Sequence, residues 1–194
     1  MEESRIRREF FRRDSCLVAR DLLGKVLCRS RGETTSKGKI VETEAYYGPG
    51  DPASHASSGK TSRSAIMWGQ PGIAYVYFVY GNHFLFNVVT EERGEAGAVL
   101  LRALEPVEGV EEMRQLRGFR NLQSLTDGPG KLCEALGITK QQNGLDLVNS
   151  DTVWVQKPPE SPTASIRASP RIGVSLGQEL EYRFYLAGNP YLSR

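Results

Sequence analysis

Ile40-Val41-Glu42-Thr43-Glu44-Ala45-Tyr46-Tyr47 decides the fold, together with two later runs, Tyr75-Val76-Tyr77-Phe78-Val79-Tyr80 and Val99-Leu100-Leu101-Arg102. Side chains on a strand alternate between faces, so Val41, Thr43 and Ala45 share one side and Glu42, Glu44 and Tyr46 the other. Val41 and Ala45 are expected to face the core. Two carboxylates and a phenol ring then stand where a packed sheet would place apolar residues or water, and that marks a site.

Working outward, strands over residues 25–29 and 39–47, joined by the polar segment 32–38, predict a hairpin. The runs 73–80 and 83–90 flank Gly81-Asn82, a favoured two-residue hairpin turn, which puts Tyr80 at a protruding tip. A further strand covers 98–104. Asp14 and Ser15 cap a helix carrying Leu17, Val18, Leu22 and Leu23, with Gly24 at its left-handed end. Pro106 is expected to open a second helix, on which Val110, Met113 and Leu116 recur at helical spacing. A third, 131–136, follows Asp127-Gly128-Pro129-Gly130 and ends at Gly137. Short strands are expected at 152–156, 171–174 and 181–186, with nothing catalytic among them. Residues 48–72 form a loop rich in Gly, Pro and Ser, well beyond the roughly 12 to 15 residues of ordinary connections, as functional or disordered loops are. Strand following strand implies an α+β fold with a largely antiparallel sheet, in a single domain over residues 1–194.

With 194 residues, 39% hydrophobic and 25% charged, the chain has the balance of a globular protein and length for one proper core. A formal charge of +2 permits a polyanionic partner without demanding one. Arg5, Arg7, Arg8, Arg12 and Arg13 crowd into residues 1–13, expected as a basic, poorly ordered arm. Cys16, Cys28 and Cys133 are too few and too dispersed for a disulfide framework or a zinc site, so reduced thiols and no metal are expected. The charged start has no apolar leader, and no window approaches the roughly 18 to 20 apolar residues of a membrane span. A soluble, intracellular protein with no membrane partner is expected.

Glu44 is the candidate general base, because a carboxylate beside aromatic rings can orient and deprotonate a water. Glu42 competes on the same face, and both also fit the ordinary fate of solvated strand carboxylates. Tyr46, Tyr75, Tyr77, Tyr80 and His83 offer planar surfaces suited to stacking a nucleobase, although tyrosine is also a good strand former. His55, without a partner histidine at metal-ligand spacing, reads as a second aromatic wall. Asn87 and Arg102 lie on strand faces among apolar neighbours and need partners, structural or ligand-borne. Amides at the glycine-flanked segment 128–131 can hold a phosphate or simply start a helix.

At these residues the chain resembles the alkyladenine (3-methyladenine, methylpurine) DNA glycosylase family. The shared stretches are Val41-Glu42-Thr43-Glu44-Ala45-Tyr46, Gly48-Pro49 through His55, Pro71-Gly72, Tyr75-Val76-Tyr77 through Tyr80-Gly81, and Asn87. They continue with Leu100-Leu101-Arg102-Ala103-Leu104-Glu105-Pro106, Gly128-Pro129-Gly130-Lys131-Leu132-Cys133 and Arg171-Ile172-Gly173-Val174, covering nearly the whole chain. The resemblance implies a compact, curved antiparallel sheet carrying a DNA-inserting hairpin, acting as a monomer without cofactor on double-stranded DNA with damaged purines. Tyr80 would wedge into the gap left by a flipped nucleotide, whose base would stack between Tyr46 and the pair His55 and Tyr77. Glu44 would activate the attacking water, with Arg102 fixing both, and Asn87 would meet the purine edge. Thr61, Arg63, Gly130 and Lys131 are expected along the DNA backbone. No lysine is expected in the pocket, which fits hydrolysis without strand cleavage. Base release by 3-methyladenine, 7-methylguanine, hypoxanthine and ethenoadenine lesions is implied. The chain departs from the family's usual pattern at Thr61-Ser62-Arg63-Ser64, where Thr-Pro-Arg-Asn is commoner, and at Asn82, where Met often follows the glycine. The same aromatics and cations would also serve a non-catalytic module that senses modified bases, and only Glu44 separates the two.

Overall fold

The computed structural model describes residues 4–79, 81–158 and 164–193. Helices α1 (Arg8–Phe11) and α2 (Ser15–Leu22) lead into strands β1 (Val26–Arg31) and β2 (Thr34–Tyr47). After the long loop come β3 (Ala74–Val79), β4 (His83–Val89) and β5 (Gly97–Glu108), then α3 (Val110–Leu116) and α4 (Pro129–Ala135). Three short strands, β6 (Val153–Gln156), β7 (Ile166–Ser169) and β8 (Arg183–Leu186), finish the fold. The strands pair antiparallel in the order β3-β4-β5-β2-β1-β6, while β8 adds to both β2 and β7. The fold is α+β, a single compact domain with a curled antiparallel sheet.

β2 organises the sheet because it keeps three partners. β5 runs along one edge, while the other edge is shared, first by β1 against residues 34–39 and then by β8 against 42–44. The handover coincides with register shifts between Ile40 and Thr43, the local twist that bulges produce. Val41 and Ala45 reach the core as expected, and Thr43 anchors α2 by donating its hydroxyl proton to the Ala19 carbonyl at 2.8 Å. The opposite face is closed too: Glu42 and Glu44 are wholly buried. Neither is the solvated strand carboxylate that composition alone would suggest.

Three local expectations need correction. β2 begins at Thr34, since Gly32, at φ +62°, lets the chain reverse within two residues. Pro106 opens no helix; it lies within β5, opposite Gly38 at a register shift, beyond the part of β5 that pairs with β4, where a missing N–H breaks no ladder. Residues 171–174 form no strand, and 166–169 do instead. The hairpin of β3 and β4 closes with the pair Val79 and His83, so three residues span its turn. Tyr80 is one of them and lies outside the described residues.

Within the basic segment expected as a loose arm, residues 4–13 are laid against the fold. Ile6 is buried and donates its N–H to the Val155 carbonyl at 2.9 Å, and Phe11 is fully enclosed. Arg8 forks onto both Asp146 oxygens at 2.9 and 2.7 Å and onto the Pro71 carbonyl at 2.7 Å. Two apolar anchors and a satisfied guanidinium outweigh the ordering entropy that charge alone would leave unopposed. Among the described residues no helix is long and apolar enough to cross a membrane.

Candidate active site

β2 projects Glu42 and Glu44 to one side, and β5 places Arg102 between them. Arg102 donates from Nε to Glu42 Oε1 at 3.1 Å and pairs through Nη1 with Glu44 Oε1 at 3.1 Å. Glu42 takes three further hydrogen bonds, two on Oε1 and one on Oε2. Its Oε1 also receives Arg183 Nε at 2.6 Å and the Ser193 hydroxyl at 2.8 Å, and its Oε2 receives the Ser193 N–H at 2.6 Å. Glu44 Oε1 accepts the Ile172 N–H at 2.7 Å, while Oε2 accepts, among the described residues, only the Tyr46 hydroxyl at 2.8 Å. A carboxylate oxygen offers two lone-pair sites, so Glu44 Oε2 retains acceptor capacity for a water. Burial, then the neighbouring Glu44, pushes the Tyr46 phenol far above its usual range, which keeps it a donor.

A second buried pair braces this cluster. Arg171 forks onto both oxygens of Asp51, each at 2.7 Å, and donates to the Ala45 carbonyl at 3.0 Å. Its guanidinium carbon lies 4.6 Å from the Tyr46 ring centre, a stacked cation on one face of that ring. Asp51 also receives the backbone N–H groups of Tyr47 and Ala53, and so ties down the start of the long loop that carries His55. The C-terminal third is therefore part of the site, contrary to the expectation that it held nothing catalytic.

The cluster sits behind a cavity of about 590 Å³. Tyr46, His55, Tyr77, Asn87, Arg102, Gly130 and Lys131 all line it, as do Ile172 and Ser193, whereas Glu44 does not. Three of the groups that touch Glu44, namely Tyr46, Arg102 and Ile172, form the wall in front of it. His55 meets Tyr77 edge-on with ring centres 4.6 Å apart, and its Nδ1 is 3.0 Å from the Tyr75 hydroxyl. Burial, then Arg63, holds the His55 pKa down to about 4, so the ring is neutral near pH 7. Asn87 donates its amide to the Tyr75 carbonyl at 3.1 Å. Its side chain also hydrogen-bonds Tyr77, a neighbouring wall of the cavity.

The residues expected along the DNA backbone divide. Arg63 is exposed and does not line the cavity; its guanidinium stacks 5.0 Å from the ring centre of Tyr77, which does. Thr61 is exposed and does not line the cavity; it shares hydrogen bonds with the buried Ser64, at 2.9 Å between hydroxyls, which fold the loop locally. Gly130, the second residue of α4, lies close against the hairpin: a Cβ there would fall 2.9 Å from His83 Cγ. Lys131 does line the cavity, against the expectation of a lysine-free pocket, and its ammonium is held by Asp127 at 2.8 Å.

Sequence reading did not single out Asp51, Arg171, Ile172, Arg183 or Ser193 for these contacts. The bonds join residues 120 to 151 positions apart, a separation that leaves no periodic trace. The resemblance did contain Arg171-Ile172, and a paired search for buried acid and base partners within it is the signal that could have found them.

The methylpurine-DNA glycosylase family pattern matches residues 9–190. A protein from Chlorobaculum tepidum is 46% identical over 192 residues, 98% of this chain and 91% of its own length. One from Carboxydothermus hydrogenoformans is 46% identical over 187 residues, 96% of this chain and 97% of its own. A third, from Clostridium perfringens, is 42% identical over 203 residues, 98% of this chain and 99% of its own. Each is provisionally named a 3-methyladenine DNA glycosylase. The match spans every residue of the two buried ion-pair clusters and of the cavity wall except Ser193, and this chain belongs to the methylpurine-DNA glycosylase family.

Proposed function

We propose that this chain takes an alkylated or deaminated purine out of duplex DNA and hydrolyses its N-glycosidic bond with a water activated by Glu44. One observation carries the reading: a fully buried glutamate, fixed through one oxygen by Arg102 and Ile172, lies directly behind an aromatic-walled cavity with ample room for a nucleobase and its sugar. The base stacks on the face of Tyr46 that Arg171 leaves open, opposite His55 and Tyr77. Glu44 Oε2 accepts the proton of a water as its oxygen bonds to the sugar C1′. The bond from C1′ to the base breaks and its electron pair leaves with the base, which for a purine methylated at N3 or N7 neutralises a positive charge. Arg102 holds Glu44 against recoil. A neutral His55 adds stacking surface without repelling a cationic base. Tyr80 fills the vacated stack.

Release of 3-methyladenine, 7-methylguanine, hypoxanthine and ethenoadenine belongs to this proposal. So do monomeric action and hydrolysis without strand cleavage, which the Lys131–Asp127 pair supports by occupying the cavity's ammonium. Glu44→Gln keeps the shape of the side chain and cannot accept the proton. Single-turnover base release should fall by roughly 10²- to 10⁴-fold while lesion binding persists. A variant that binds lesions and releases base like the parent would refute the chemistry, and a parent protein that binds lesions without releasing base would favour a non-catalytic module. Borohydride should trap no covalent DNA complex; a trapped adduct lost in Lys131→Gln would assign a lyase step.

A further inference from the structure

We propose that Ser193 is a positioning residue for base release: its hydroxyl and N–H fix Glu42, and through Glu42 the guanidinium that Glu44 leans on. The inference rests on Glu44 as the base.

Arg102 has to serve two carboxylates at once, and a guanidinium can hold both only if its plane is fixed. The Ser193 oxygen lies 3.3 Å from Arg102 Nε and 3.2 Å from Nη2, and its proton goes to Glu42 Oε1 at 2.8 Å. A hydroxyl donates once and accepts twice, so all three contacts coexist. The N–H of the same residue takes the other Glu42 oxygen at 2.6 Å. Ser193, Glu42 and Arg102 thus close a ring in which Nε and Nη2 are both engaged, and Nη1 is the nitrogen left to reach Glu44. Without the hydroxyl, Nη2 loses its acceptor and the guanidinium is free to swing in plane toward Glu42, withdrawing Nη1. Ser193 lines the cavity, yet each hydrogen bond recorded for it goes to Glu42 or Arg102, which makes it a support for the reacting group.

The segment reaches this place without help from the Ser193 side chain. Tyr191 and Leu192 pack against the core, Asn189 donates to Glu105 at 2.9 Å and accepts the Tyr191 N–H at 3.0 Å. A substitution at Ser193 therefore removes the clasp and leaves the docking.

The test is single-turnover release of 3-methyladenine from duplex DNA at saturating protein, with lesion-duplex Kd and Tm measured in parallel. Ser193→Ala should slow release about tenfold, the value of one charge-assisted hydrogen bond, with Kd unchanged and Tm lowered by only a few degrees for the buried partners it leaves. Ser193→Thr keeps a hydroxyl and should restore the rate. A parental rate in Ser193→Ala overturns the proposal, as does a loss that Thr does not rescue. Glu44→Gln separates the two failures: if it is inactive while Ser193→Ala is unimpaired, only the role of Ser193 falls, whereas an active Glu44→Gln removes the base assignment itself.

Discussion

Glu42 and Glu44 stand two residues apart on one strand, both fully buried and both held by Arg102, yet they sit in different chemical worlds. Glu42 faces the clasp of Arg183 and Ser193, and its two oxygens take four hydrogen bonds. Glu44 faces the cavity wall, and its outer oxygen keeps only the Tyr46 hydroxyl among the described residues. Glu42 is shared by two guanidiniums and the Ser193 clasp, whereas Glu44 pairs with one guanidinium and has fewer protein donors, which leaves it the more available acceptor for a water. The difference teaches that a buried acid next to an arginine is not by itself a catalyst. One side of Arg102 is given over to the fold, and the other is where we propose the reaction.

Variants on the bracing side should cost stability, and variants on the cavity side should change turnover or selectivity. The largest expected effect is on the bracing side. Asp51→Asn breaks a buried two-pronged ion pair and leaves Arg171 uncompensated, a loss of about 3 to 5 kcal/mol visible in chemical denaturation. A loss below 1 kcal/mol, a figure typical of an exposed pair, would show that this bracing is superficial.

A smaller effect belongs to the cavity side. Asn87→Ser should gain activity on guanine-derived bases relative to adenine-derived ones by up to about 1 to 3 kcal/mol, since an unpaired buried 2-amino group is no longer opposed by a fixed amide. The readout is a ratio of single-turnover rates on matched duplexes. If the ratio stays put while Tm drops, Asn87 belongs with the bracing residues, as its bond to the Tyr75 carbonyl would then suggest.

The smallest effect concerns pH. Burial, then Arg63, lowers the His55 pKa from 6.5 to about 4 in the folded chain. The unfolded chain takes up a proton that the folded one refuses between those two values. The contribution to stability is therefore fully present above 6.5 and is lost as pH falls toward about 4. Tm recorded across that window should fall less steeply in His55→Phe than in the parent. Identical slopes would place His55 in water and remove it as a cavity wall.

Much of this was legible in the sequence, for local reasons. Alternation along Val41 to Tyr46 put Val41 and Ala45 in the core, the Gly81-Asn82 signal paired β3 with β4, and the run before Arg102 gave β5. Asp14 caps α2 by accepting the Leu17 N–H, as its position promised. Edges were less legible, because a strand's ends depend on its neighbours: β2 gains residues 34–38 by pairing with β1, and Pro106 is tolerated where β4 no longer reaches. The burial of Glu42 was invisible. It depends on Arg183 and Ser193 arriving from the far end of the chain, and neither residue announces such a role in its own surroundings.

The central claim is the division between the two glutamates, and one paired measurement addresses it: single-turnover base release and Tm for Glu44→Gln and Glu42→Gln on the same lesion duplex. The account predicts opposite signatures. Glu44→Gln should lose release by roughly 10²-fold or more with Tm nearly unchanged. Glu42→Gln should lose about 3 kcal/mol of stability, roughly 10 °C in Tm, with a much smaller loss of release. Equal losses of release in the two variants, or a Glu42→Gln that is stable and inactive, would contradict the assignment of Glu44 as the base.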